Sequence, residues 1–143
     1  MRRYANFALV YAILAAAAGV FYREFTKYHG FTGQTALSVV HTHYFLLGMV
    51  FFLVLLAVEK SFSFTKTKTG RVLVVYQIGL NLTAVMLVVR GVLQVLKTPL
   101  AAGMNAAISG VAGLGHVFLG IGLILILVQI RGSVLEEERV KIE

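Results

Sequence analysis

Apolar residues along this chain fall into four long runs, separated by short stretches that gather most of the charged and turn-forming residues. The runs lie at Tyr4–Tyr22, Leu37–Val58, Val72–Leu96 and Ala106–Ile130. Each is close to the ~20 mostly apolar residues that a helix needs to cross a bilayer, where unpaired backbone groups are too costly to leave in hydrocarbon. The pattern predicts an all-α fold: an integral membrane four-helix bundle, up-down-up-down, with short connections that make neighbouring helices antiparallel. The whole chain, residues 1–143, then forms a single transmembrane domain. Arg2-Arg3 ahead of an Ala-rich run reads as a first anchor rather than as a cleavable leader.

Composition narrows the chemistry. Of 143 residues, 59% are hydrophobic and 13% charged, which excludes an ordinary water-soluble domain. Cysteine is absent, which excludes disulfides, iron–sulfur clusters, catalytic thiols and covalently attached haem. Asp is absent too, and the six Glu (24, 59, 136, 137, 138 and 143) lie outside or at the ends of the apolar runs, so paired-carboxylate catalysis inside the membrane is excluded. Nothing in the sequence points to an enzyme active site. The net charge of +7 comes from basic residues in the connecting segments, where they meet lipid headgroups rather than nucleic acid. Arg2, Arg3, Lys60, Lys66, Lys68, Arg71, Arg131, Arg139 and Lys141 fall on one side, and Arg23, Lys27 and Lys97 on the other. The positive-inside rule then predicts both termini in the cytoplasm, in a bacterial plasma membrane. Ser61–Gly70 is expected to be a solvated inner loop.

A weak internal repeat pairs Tyr4 with Tyr76 and Gly19 with Gly91 at one shift, and His43 with His116 and Phe45 with Phe118 one residue further on. Each half holds two spans, so the halves would be parallel two-helix repeats about an axis along the membrane normal. Apolar runs align easily by chance, and the paired histidines are what chance explains least well.

Ionisable side chains inside spans are costly and usually functional. His41, His43 and His116 are therefore the main site candidates, whereas His29 falls in an outer loop. His43 and His116 lie at similar depth on helices running the same way, which predicts a bis-histidine site for a b-type haem in the bundle. One face of the His116 helix also carries Ser109, Ala112, Gly113 and Gly120, where a flat ring could approach the backbone. Around His43 the neighbours Val39, Val40, Leu46, Leu47 and Val50 supply apolar walls. Arg90, in the outer third of the third span, would either snorkel or meet haem propionates. Tyr44, Tyr76 and Asn81 are candidate hydrogen-bond donors.

The stretch Val39-Val40-His41-Thr42-His43-Tyr44-Phe45 resembles the two-histidine transmembrane helix in subunit I of the haem-copper oxidases. The resemblance implies that His43 matches a low-spin haem ligand, His41 a high-spin haem ligand, and His116, within Gly115-His116-Val117-Phe118, the other low-spin ligand. Thr42 stands where that family usually has Phe, and four histidines in all leave no counterpart to its copper ligands. Because subunit I has three arcs of four helices, the resemblance also implies a trimer of this chain, in which His41 and His43 would bind haem shared between protomers.

The leading expectation is a haem b protein, with one or two haems per protomer or haem shared within a homo-oligomer (dimer or trimer), serving electron transfer or haem-dependent sensing or handling. A quinol or another redox partner would supply or accept electrons. The alternatives are a cofactor-free transporter or channel subunit with a histidine-lined path, and an interaction protein whose small-residue faces join a larger complex. A bare metal site at His41 and His43 is disfavoured, because residues two apart on a helix diverge by about 200°.

Overall fold

The structure, a computed structural model, describes residues 1–142. Glu143 and the side chain of Lys141, the latter counted above among the inner basic residues, lie outside the described residues. Four membrane-length helices follow one another: α1 (Arg2–Tyr28), α2 (Ala36–Phe62), α3 (Thr69–Val95) and α4 (Ala102–Ile142). All four are long and apolar enough to cross a membrane. At ~1.5 Å per residue, the 27 residues of α1 span about 40 Å, more than the ~30 Å hydrocarbon layer, so its polar last turns project beyond it. The helices therefore overrun the apolar runs: α1 continues through Arg23–Tyr28, and α4 carries the Glu136–Glu138 segment on the same rod. Gly30, at φ +58°, supplies the left-handed residue that turns the chain after α1.

The second helix is not uniform. It opens with a 3₁₀ turn (Ala36–Val39), makes one α turn (Val40–His43), widens into a seven-residue π segment (Tyr44–Val50) and closes as α-helix (Phe51–Phe62). Its start is fixed to α3: the Thr35 hydroxyl donates to the Gly91 carbonyl (2.9 Å), and the Ala36 amide donates to Gln94 Oε1 (2.7 Å). Gly91 is required there, since a Cβ would overlap the backbone of Leu37. The Tyr76 hydroxyl of α3 donates to the Leu47 carbonyl inside the π segment (2.6 Å), satisfying a group in the looser helical ladder.

The packed interior lies nearer the end that holds the termini. Tyr4, Tyr11, Phe52, Phe64, Tyr76, Leu80 and Ile126 form its body, with Tyr11 stacked on Phe52 (5.7 Å between ring centroids) and Phe51 on Tyr76 (4.2 Å). Tyr4 and Tyr76, paired in the internal repeat, are both fully buried. The stretch Ser61–Gly70, expected to be a solvated loop, is drawn in: Phe64 stacks on Tyr4, and Thr69, at the start of α3, is fully buried, donating to Gln129 of α4 (2.7 Å). The reason is Phe64, which removes its ring from water by closing over the bundle end.

The third and fourth helices pack most closely. Cβ atoms added at Gly79 would strike the Leu119 backbone, at Gly115 the Thr83 residue, and at Gly122 the Tyr76 residue. Small residues at such points let membrane helices approach backbone to backbone. The fourth helix meets α2 along its Phe51–Phe62 part, while near His43 the two backbones stand apart.

Candidate functional site

These packing choices place the histidines. Gly115 and Gly122 turn one stripe of α4 onto α3, and His116, one residue past Gly115, points about 100° away from that contact. On α2, the anchoring of Thr35 and Ala36 sets the rotation of the turn that carries His43. The two imidazoles meet in a T-shaped arrangement between α2 and α4, with ring centroids 6.4 Å apart and planes at 89°. His43 is half-buried and His116 exposed, so the pair lies at the edge of the bundle, open to its surroundings.

Each ring is held by its own helix. His43 Nδ1 lies 2.8 Å from the Val39 carbonyl oxygen, and His116 Nδ1 lies 2.9 Å from that of Ala112. A carbonyl only accepts, so Nδ1 carries the proton and Nε2 keeps its lone pair. Fixing a ring in this way orients metal-ligating histidines and raises their basicity. His29 makes the same bond to Phe25 (2.9 Å), so the local bond alone does not mark a site. What sets His43 and His116 apart is that they meet.

The surroundings leave room beside the pair. Nothing lies within 4 Å of a Cβ placed on Gly113 or Gly120, the two glycines flanking His116 on its own face. On the α2 side, a cavity of about 220 Å³ is lined by Thr42, His43, Leu46 and Leu47. Arg90 reaches from α3 to the Ser109 hydroxyl of α4 (2.7 Å), two turns from His116 toward the end opposite the termini. Tyr44 and Tyr76 point elsewhere: the Tyr44 hydroxyl donates to Asn81 Oδ1 (3.3 Å), and Asn81 Nδ2 donates to Tyr11 (2.9 Å), closing a polar knot between α1, α2 and α3.

His41 does not join the pair. It packs beside Gly19 of α1, whose added Cβ would sit 3.7 Å from that of His41, and its Nδ1 is buried without a hydrogen-bond partner. The structure therefore brings together His43, His116, Gly113 and Gly120, with Arg90 at one end, and sends His41 to another helix. Among the described residues, no three His, Cys, Asp or Glu side chains converge as a metal cluster. Not evident in the sequence were the packing role of Gly79, Gly91, Gly115 and Gly122, which set the helix rotations, and the π segment. The seven-residue spacing of Gly115 and Gly122 was a signal in plain view, but it competes with the same spacing of Gly113 and Gly120.

Fold and sequence together define a four-span helical membrane protein with two histidines of different helices in ring contact. The chain belongs to the family described as Protein of unknown function (DUF2871), whose model matches residues 1–133. That match covers all the residues of the cleft. No curated protein and no solved structure matches the chain.

Proposed function

We propose that this protein binds a b-type haem in the cleft between α2 and α4, with His43 and His116 as axial ligands, for one-electron transfer or haem-dependent sensing. The observation that carries the reading is the 6.4 Å between the imidazole centroids. A metal ion held by one nitrogen of each ring, with bonds of about 2.0–2.1 Å, would fit rings this close. Both rings present Nε2 as the free nitrogen, as such ligation needs. The open faces of Gly113 and Gly120 and the Thr42–Leu47 cavity give a planar group somewhere to spread. Two imidazoles fall short of the four protein ligands of a structural metal site, whereas a porphyrin brings four nitrogens of its own.

When bound, the haem would supply a low-spin iron that cycles between two oxidation states. The chain's part is to hold both imidazoles in one tautomer, to keep carboxylates away from the iron, and to surround it with apolar side chains. The placing of His41 against α1 favours one haem per chain over two. With the termini cytoplasmic, the Arg90 end of the cleft would face outward, toward an outer redox partner, while a membrane quinol is a candidate electron donor.

Haem titration of the purified protein in mild detergent tests this. The wild type should develop a sharp low-spin Soret band at one equivalent, and His43→Ala and His116→Ala should each lose the low-spin signature, while His41→Ala keeps it. Ligation unchanged in either of the first two variants would overturn the assignment.

A further inference from the structure

We propose that Arg90, braced by Ser109, anchors a carboxylate of the bound porphyrin, so that the cleft grips its ligand at the iron and at one propionate. This rests on the haem reading above. A guanidinium within a span calls for an anion: Arg90 takes part in neither the Arg23–Glu24 nor the Lys66–Glu136 ion pair, and no acidic residue lies within the third or fourth apolar run. Arg90 does not extend to the helix end. Its terminal nitrogen donates to Ser109 Oγ at 2.7 Å, and Ser109 in turn donates to the Asn105 carbonyl at 3.0 Å. The serine proton is thereby spent on its own helix, and its lone pair holds the guanidinium in place, with further N–H groups left to donate.

The position of that brace matters. Ser109 precedes His116 by seven residues, so it lies on nearly the same face of α4, about 10.5 Å along the axis, with Gly113 open between them. Both propionates leave one edge of a porphyrin. With iron held by the imidazoles and that edge turned away from the termini, a carboxylate would come to the level of Arg90, whose guanidinium is suited to a bidentate pair. A lipid phosphate offers the same chemistry, and the two sources separate experimentally.

The test compares haem with its dimethyl ester, whose propionates are neutral, on wild type, Arg90→Gln and Ser109→Ala. For haem, Arg90→Gln should weaken binding about tenfold and Ser109→Ala less. The ester should bind wild type as weakly as haem binds Arg90→Gln, and Arg90→Gln should not weaken ester binding further. Equal losses for both ligands, or no loss for either, would overturn the anchor while leaving axial ligation standing. The ester comparison on wild type needs no variant: equal affinity for haem and ester overturns the anchor even if Arg90→Gln fails to fold. Failure of wild type to form any low-spin complex would instead overturn the haem reading itself, and the anchor with it.

Discussion

At the scale of single residues, the glycines of α4 divide by the direction they face. Gly115 and Gly122 touch α3, and Gly79 touches α4 in return, so a methyl group at Gly79 must push the two backbones apart. Gly79→Ala should therefore destabilise the bundle by ~1–3 kcal/mol, read from unfolding in mixed detergent. Gly113→Ala and Gly120→Ala meet open space and should leave that unfolding curve unmoved, yet lower haem affinity severalfold, because the added methyls occupy the face a flat ligand would use. Loss of stability at Gly113 or Gly120 would mean that these positions pack like the others. The histidines were legible in the sequence, since an imidazole in an apolar run is conspicuous whatever the fold. The division of the glycines was not: Gly113 and Gly115 are two residues apart, and about 200° of rotation decides which faces α3.

At the scale of elements, the existence and order of the four helices could be read from hydropathy, because hydrocarbon admits few other backbone solutions. Their ends could not, because Arg23–Tyr28 and Arg131–Ile142 continue as helix into water, where the apolar signal ends but backbone hydrogen bonding does not. The π segment Tyr44–Val50 left no periodic trace, since seven apolar residues look alike under either helical period. It is held in part by the Tyr76 hydroxyl on the Leu47 carbonyl. Tyr76→Phe removes that donor and should cost about 0.6–2 kcal/mol, the usual range for a hydrogen bond between membrane helices. Faster amide exchange confined to Tyr44–Val50 would be the accompanying sign, and exchange rates equal to wild type would show that the segment stands without it.

On the scale of the whole molecule, the bundle is tight at the terminal end and opens toward the imidazole pair. The tight end includes the α2–α3 connection, which is clipped to the projecting part of α4 by Lys66 and Glu136 at 2.7 Å. The hydrogen bond from Lys66, and then its charge, hold the Glu136 carboxyl below its ordinary range. A lowered carboxylate stabilises the folded form above its ordinary pKa of about 4.3, and that support is lost as the pH falls through the lower folded value. Amide protection at Lys66–Thr69 should thus be flat from pH 7 to about 5, fall below about pH 4, and weaken with added salt because both groups are exposed. A fall in protection already near pH 6 would contradict this clip. The paired histidines were expected across a bundle core; the structure sets them at the bundle's edge, because close packing of α3 on α4 draws the fourth helix away from α2 near His43.

Binding of one iron by His43 and His116 is open to direct spectroscopic measurement. The most direct measurement is the reduced-minus-oxidised spectrum, with the ferric spin state, of the protein purified from cells supplied with haem. Wild type should show one low-spin b-type haem per chain, replaced by a high-spin or absent signal in both His43→Ala and His116→Ala. A colourless wild type that takes up no haem on reconstitution, or a low-spin spectrum that survives either substitution, would contradict it.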